Sequence, residues 1–264
     1  MSGHYGPMLR ALAVNRRDYR VLVFATAVGY TVVVQALAFA SVFWRDLASD
    51  YGIDPDRVVV AQLEPSRENA APADEVKSAV LAVPGVESFA WIARRPFRFT
   101  EFGEPVAPID DSSHARLAWP SIGDEHLLQT LGLPLIAGRN YTPMRAEAGA
   151  DVEAVVSKSL ASFLSGKPEP EDAVGLRFLH GIDDRVMRIV GVVDDVSVHT
   201  SWVPDVHNIL FTYSPVITAP RHFALVRVAS ADPATIDNLA EAVRGRGHWV
   251  ELMSLRSLRA STSA

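Results

Sequence analysis

The sequence has 264 residues, with 25 Lys and Arg against 31 Asp and Glu, no Cys, and 48% hydrophobic residues. This length accommodates one large or two small domains, and the charged fraction of 21% argues against disorder and against a coiled coil. The lack of Cys excludes disulfides, thiolate zinc sites and cysteine nucleophiles. The formal net charge of −6 argues against nucleic-acid binding, because neutralising phosphates needs a basic surface.

A basic N-terminus precedes a long apolar segment. Residues 1–20 contain four arginines: Arg10, Arg16, Arg17 and Arg20. The segment 21–44 that follows contains no Asp, Glu, Lys, Arg or His. As a helix it would extend about 36 Å, enough to cross a hydrocarbon core of about 30 Å. The positive-inside rule therefore predicts a cytoplasmic N-terminus (1–20), a transmembrane helix (21–44) and an extracytoplasmic domain (45–264).

The apolar segment has two other interpretations. A cleaved signal peptide is one, because Ala38-Phe39-Ala40 offers a small-x-small cleavage site. The segment is longer than the usual apolar region of about 7–15 residues, which favours an uncleaved anchor. A buried core helix is the other, and the length without charge argues against it.

Small residues follow one face of the predicted transmembrane helix: Ala25, Gly29, Ala36 and Ala40. At about 100° per residue these positions fall within an arc of roughly 60°. Small residues let a second helix approach closely, and Gln35 at the flank can hydrogen-bond across such a contact. We predict that this face docks on the membrane helices of a partner, although Ala and Gly are also common in membrane helices in general.

The outer domain begins with one β-α-β pattern. A polar connector leads to a strand over 57–63. Asp74 is predicted to cap a helix with apolar residues at helical spacing, and Pro84-Gly85 to end it. The segment 86–99 is predicted to form a strand pair or one long bent strand.

A second β-α-β pattern closes the chain, with a strand over 223–228, a helix begun by Asp232 and Pro233, and a strand over 249–253. Two such units predict an α+β domain with a ferredoxin-like split β-α-β lobe and an inserted mixed α/β lobe. The expected boundaries are about 57–100 and 221–255 for the first lobe and about 101–220 for the inserted lobe.

The middle of the chain has its own pattern. Apolar residues broken by Gly and Pro over 131–139 predict a hairpin-like element. A strand over 154–156 leads to a short helix that Ser157 is predicted to cap. The segment 187–193 gives the strongest strand signal in the chain.

Five segments of the outer domain follow one another in a distinctive order: LGLPLIAGRNYT (131–142), VEAVVSKSLASFL (152–164), Gly175, RIVGVVDDV (188–196) and ADPATIDNLAEAVRGRG (231–247). With the Arg-rich N-terminus and the apolar span, they resemble the MacB-like periplasmic core domain of FtsX-like ABC transporter permeases. The resemblance covers nearly the whole chain. It implies an inner-membrane protein whose periplasmic domain passes the ATP-driven movement of membrane helices to a substrate or partner.

The sequence departs from this family at its C-terminus. Permeases of the family continue into three more membrane helices, whereas no second apolar segment follows residue 44 and the chain ends in a polar tail. We therefore expect a truncated, non-catalytic permease subunit without a cofactor. Its implied partners are an ABC ATPase subunit, a full-length permease and the lipid bilayer. The alternative is a stand-alone, membrane-anchored periplasmic binding module without ATPase coupling.

The polar segment 194–207 contains residue types that can bind a metal ion. Its candidate ligands are Asp194, Asp195, His199, Asp205 and His207. These residues have no defined ligand spacing on a helix or turn, so a solvated loop is the favoured interpretation. An anchored metallohydrolase built on Asp195, His199 and His207 remains a third hypothesis.

Three other motifs carry little specific signal. The segment 110–114 contains Asp, Ser and His, but triad members are seldom adjacent in sequence. Gly166-Lys167 lacks the other residues of a phosphate loop. Arg94, Arg95 and Arg98 form a basic patch that fits a partner surface or the exposed face of a strand. The sequence thus predicts no catalytic residues, and we expect the chain not to be an enzyme.

Overall fold

The computed structural model describes residues 16–48, 52–66, 70–96, 103–143, 151–196, 207–213 and 222–262. The chain divides into two compact units, residues 1–49 and 50–264. The described residues of the first unit form a long helix, α1 (Arg16–Ala48). The apolar segment 21–44 lies entirely within α1, because a stretch without charges or Pro has nothing to interrupt the backbone hydrogen bonds of a helix.

The second unit is a mixed α+β domain. Its strands are β1 (Val58–Pro65), β2 (Val86–Ile92), β3 (Glu104–Pro108), β4 (Arg116–Gly123), β5 (Leu135–Gly138), β6 (Val152–Ser157), β7 (Arg177–His180), β8 (Arg185–Val193), β9 (Ile209–Tyr213), β10 (His222–Val228) and β11 (His248–Ser254). Its helices are α2 (Ala73–Leu81), α3 (Leu127–Leu131), α4 (Lys158–Ser165), α5 (Pro233–Arg244) and α6 (Leu255–Thr262), with a 3-10 turn at Pro170–Ala173.

Four antiparallel strands form one part of the sheet, in the order β11-β1-β10-β2. Val59, Ala61 and Leu63 of β1 face one apolar cluster together with residues of α2 and α5. Val58 and Val60 face another cluster on the opposite side. The apolar run of β1 is therefore explained by burial on both faces of a central strand, since side chains alternate along a strand.

Six strands form a closed ring in the order β4-β3-β7-β8-β6-β9. The ring closes because β9 also pairs in parallel with β4, from Trp119↔Ile209 to Gly123↔Tyr213. Side chains of all six strands meet in one apolar cluster, which Leu160, Ala161 and Leu164 of α4 complete. A further cluster joins this ring to the four-stranded part through β1, β2, β6, β8 and β9. The division of the domain into two lobes stays a prediction.

Three helix starts can be compared with their predicted caps. Ser157 lies directly before α4, but its side chain makes no capping hydrogen bond. The Asp232 cap is confirmed, because its carboxylate accepts a hydrogen bond from the Thr235 amide at 2.9 Å and Pro233 opens α5. The Asp74 cap is wrong, since Pro72 is the residue before α2 and Asp74 lies in the first turn. Acidic residues are favoured in the first turn by the helix dipole, so their pattern resembles that of a cap.

Two further local predictions are wrong. The segment 131–139 is not a hairpin: α3 ends at Gly132, whose φ of 75° is left-handed, and a single strand, β5, then pairs with β8. One long strand over 86–99 is not formed either, because β2 ends at Ile92 and residues 93–96 form no strand, while 97–99 lie outside the described residues. Ile92 pairs with β10 on one side and with β4 on the other. In both segments the strand partner, which is distant in sequence, sets the boundary.

Candidate functional site

The surface of α1 is apolar over a length that suits a bilayer. Residues Arg20–Ser41 form the stretch that is long and apolar enough to cross a membrane. All of its side chains are exposed in the single chain, and the large apolar ones keep 44 to 71% of their surface accessible. Such a surface is stable only when lipid or another helix covers it, because apolar area in water is unfavourable.

The hydroxyl groups of Thr26, Thr31 and Ser41 are satisfied within this helix. Thr26 Oγ1 donates to the Leu22 carbonyl and Thr31 Oγ1 to the Ala27 carbonyl, both at 2.8 Å. Ser41 Oγ donates to the Ala38 carbonyl at 2.7 Å. No hydroxyl of these three residues therefore requires water, which fits a helix placed in hydrocarbon.

The predicted docking face lies on the exposed surface of this helix. Ala25, Gly29, Ala36 and Ala40 are all exposed. A Cβ atom added at Gly29 meets no atom within 4 Å. The face is thus open to a partner helix, and its docking role stays a prediction.

The outer domain has an open groove of about 420 Å³ beside the start of β1 and the start of α5. It is lined by Asp56, Arg57, Ala229, Ser230, Ala231, Asp232 and Ser254. The Asp56 carboxylate pairs with the guanidinium of Arg256, and the hydrogen bond from Arg256 lowers the pKa of Asp56. Arg57 pairs with Glu87 and also donates to the Val228 carbonyl at 3.3 Å. The charged groups of the groove are thus already engaged within the fold.

The candidate metal ligands serve other purposes where the structure describes them. Asp195 Oδ1 accepts from the Ser159 amide at 2.7 Å, and Asp195 Oδ2 accepts from Ser159 Oγ at 2.5 Å. The His207 carbonyl accepts from Ser157 Oγ at 2.5 Å. His199 and Asp205 lie outside the described residues. Within the described ranges, no three His, Asp or Glu side chains lie close enough to hold a metal ion.

The segment 110–114 forms an exposed turn and not a nucleophile–base pair. Ser113 Oγ donates to Asp111 Oδ1 at 2.6 Å, and His114 Nδ1 lies 2.8 Å from Asp111 Oδ2. Both hydrogen bonds lower the pKa of Asp111, that of Ser113 more strongly. The serine hydroxyl therefore points to the carboxylate, whereas a triad requires it to point to the imidazole.

The remaining motifs show local surface roles. Lys167 pairs with Asp172 at 3.3 Å, and Gly166 ends α4 in a left-handed conformation. Arg94 is exposed and Arg95 is half-buried, while Arg98 lies outside the described residues. Neither motif brings together groups that would act on a substrate.

A buried ion pair links the end of β5 to β6, and we call it the charged joint. It was not predicted from the sequence. Glu153 is buried, with 8% of its side chain accessible, and its carboxylate receives the guanidinium of Arg139 and both the amide and the hydroxyl of Thr142. These bonds, that of Arg139 foremost, lower the pKa of Glu153 to about 2. The Gly-Arg-x-x-Thr part of segment 131–142 thus has a structural role. A lone Glu in the apolar strand 152–156 was the signal for it.

Glycines allow the backbones at this joint to approach closely. A Cβ at Gly138 would lie 2.2 Å from the Val190 carbonyl oxygen, and one at Gly191 would lie 2.2 Å from the Arg139 carbonyl oxygen. These two glycines are register partners in the β5–β8 pair. Their positions in segments 131–142 and 188–196 follow from this contact.

A second missed junction lies where β2 meets β4. Asp124 accepts hydrogen bonds from the amides of Trp91 and His126, at 3.1 and 3.0 Å, and lies 3.4 Å from Lys77 Nζ. The buried Tyr141 hydroxyl donates to the Asp124 carbonyl at 2.8 Å, and burial raises the pKa of Tyr141. Asp124 follows a strand without any local motif, so the sequence offered no signal for this role.

The apolar helix α1 and the sheet-rich α+β domain define a membrane-anchored protein. The model of the MacB-like periplasmic core domain matches residues 21–246. The chain therefore belongs to this family, which is found in ABC transporter permeases. The family resemblance seen in the sequence is thus confirmed.

Two solved structures are similar to this chain. The periplasmic region of MacB from Actinobacillus actinomycetemcomitans is 14% identical, with 82% of this chain and 97% of that chain covered and a TM-score of 0.47. A domain of a protein described as a permease from Porphyromonas gingivalis is 17% identical, with 76% and 91% covered and a TM-score of 0.47. No curated protein matches the sequence.

Proposed function

We propose that the chain is a non-catalytic permease-type subunit whose periplasmic domain contacts a substrate or partner in an export or mechanotransmission complex. The family match over residues 21–246, which includes both the apolar helix and the outer domain, carries this proposal. An ABC ATPase subunit supplies the energy, and a full-length permease passes the movement to this chain. The protein lies in the inner membrane with its N-terminus in the cytoplasm and residues 45–264 in the periplasm.

The face of Ala25, Gly29, Ala36 and Ala40 is the proposed contact with the partner permease. A transmembrane helix buries no additional apolar surface when it leaves lipid for another helix, so close packing of small residues must supply the affinity. All four residues are exposed and Gly29 has open space beside it, which supports this role.

Co-purification tests this docking face with two matched substitutions. Ala36→Leu places a large side chain on the proposed face, whereas Ala27→Leu places the same side chain about 180° away. In mild detergent, we expect the tagged wild-type chain and Ala27→Leu to retain an ATP-binding cassette subunit and a full-length permease. Ala36→Leu should retain roughly tenfold less of both, because helix contacts of this kind contribute about 1–2 kcal/mol.

Equal recovery with the two variants would contradict the docking face. Recovery of the folded chain without either partner would contradict the proposed complex and favour the stand-alone binding module.

Topology is tested by reporters fused after Ala264. With the N-terminus in the cytoplasm and one membrane crossing, a C-terminal alkaline phosphatase should be active and a C-terminal green fluorescent protein dark. The physical basis is the arginine cluster before α1, since basic residues near a helix end stay on the cytoplasmic side. The opposite pair of signals would overturn the periplasmic placement.

A further inference from the structure

The connector segment, defined here as residues 52–57, packs on the end of β8. Gly52 has a left-handed φ of +67°, and a Cβ added there would lie 2.9 Å from Val196 Cγ1 and 3.1 Å from the Asp195 carbonyl oxygen. The next residue, Ile53, is buried in the same apolar cluster as Val196. Gly52, the first described residue of the outer domain, therefore lies against Asp195 and Val196.

The Asp195 side chain reaches from this contact to the first turn of α4. Its two carboxylate oxygens accept from the amide and the hydroxyl of Ser159, at 2.7 and 2.5 Å. The amides of the first helical turn have no partner within the helix, so a carboxylate placed here stabilises the helix start. Ser157, the residue before α4, does not cap the helix with its own side chain. Asp195 performs this role from a distant part of the chain.

Helix α4 in turn belongs to the core of the six-stranded ring. Leu160 and Ala161 are almost fully buried, and with Leu164 they lie in the apolar cluster formed by the ring strands. A change at the start of α4 therefore alters the packing inside the ring. Ser157 provides a second link at this point. Its hydroxyl donates to the His207 carbonyl and accepts from the Ile209 amide of β9.

We propose that Asp195 mechanically couples the connector segment to α4. Displacement of Gly52 and Ile53 moves Val196, and the Asp195 carboxylate passes this movement to Ser159 and the helix inside the ring. Asp195 is thus a positioning residue, placed between the connector segment and α4, a helix in the middle of the chain. The inference rests on the proposed function in one respect: the movement of the membrane helices reaches the outer domain through the connector segment.

Hydrogen exchange of the full-length chain in detergent micelles tests this coupling without any transport partner. Gly52→Ala pushes on Val196, and we expect the α4 amides of residues 161–165 to exchange roughly five- to tenfold faster. Asp195→Ala, which removes both bonds to Ser159, should have a similar effect. In the double variant, Gly52→Ala should not increase the exchange rate of the α4 amides any further, because Asp195→Ala has already removed the contact with Ser159.

The matched control is Gly85→Ala. Gly85 also has a left-handed φ, +87°, but a Cβ there meets nothing within 4 Å. This variant carries the same kind of backbone strain without the contact, so exchange in α4 should stay at the wild-type rate. Helix α5 serves as the internal reference and should be unchanged in every variant.

Three results would overturn the coupling. One is a wild-type exchange rate in α4 of Gly52→Ala, and another is an undiminished effect of Gly52→Ala when Asp195 is also replaced. Faster exchange in α5 as well as in α4 would show a general loss of stability instead of a local relay. A loss of the proposed complex in co-purification, with this exchange pattern intact, would contradict the proposed function and leave the coupling standing.

Discussion

Buried charged side chains stabilise the outer domain through contacts whose partners the sequence does not reveal. Glu153 is the clearest case, because one carboxylate receives Arg139 and two donors of Thr142. Arg188, its register partner on β8, lies 4.0 Å away. A buried carboxylate is tolerated only with such a set of donors, and removing it leaves them without an acceptor. The joint is therefore sensitive to both mutation and acid.

Acid should weaken this joint over a defined pH range. The pKa of Glu153 is about 2 in the folded protein and near 4.5 when the chain is unfolded. The stabilisation is thus fully present above pH 4.5 and is lost as the pH falls from there to about 2. We expect Glu153→Gln to lower the free energy of unfolding by about 2–3 kcal/mol at pH 7. Near pH 2 its free energy of unfolding should equal that of the wild type. Urea unfolding of the full chain in detergent at several pH values measures this difference.

Glu241→Gln is the control for this pH dependence, because Glu241 is an exposed residue of α5. It should follow the wild type at every pH. A difference between Glu153→Gln and the wild type that stayed constant from pH 7 to pH 2 would contradict the role assigned to the charged form of Glu153.

At the scale of elements, local sequence signals predicted the start of a helix correctly where the helix has its own capping residue. They did not predict elements whose boundaries depend on a partner distant in the sequence. Helix α5 begins at Asp232 and Pro233 as expected, since both signals act within one turn. Helix α3 has only five residues, and it is held by burial of Leu127, Leu128 and Leu131. A helix this short is not stable by itself, so no local pattern predicts it.

The cap of α5 gives a prediction at this scale. Asp232→Ala removes the acceptor of the Thr235 amide and of its hydroxyl, at 2.9 and 3.1 Å. We expect a loss of about 1 kcal/mol in the free energy of unfolding. Asp237→Ala, an exposed change inside the same helix, should be neutral or slightly stabilising because Ala is the better helix former. Thermal unfolding of both variants measures the difference, and equal melting temperatures would refute the cap.

At the scale of the whole molecule, long-range pairing decides the architecture. The ring of six strands closes through β4 and β9, which lie on either side of β6 and β8 in the sequence. The connector segment meets Asp195 and Val196, which are also far from it along the chain. The proposed relay from connector to α4 exists only because these segments meet in space. The proposed docking face on α1, by contrast, depends on the residues of one helix.

The sequence alone determined the long apolar helix, the strand β1, the Asp232 cap and the membership in the MacB-like family. Each depends on neighbouring residues or on a linear order of motifs, which a sequence displays directly. The tertiary structure alone decided the closed ring, the place of Glu153 at the end of the Arg139 side chain, and the use of Asp195 as a cap for α4. These features join residues far apart in the chain, and their partners are chosen by the packing of the whole domain and not by local preference.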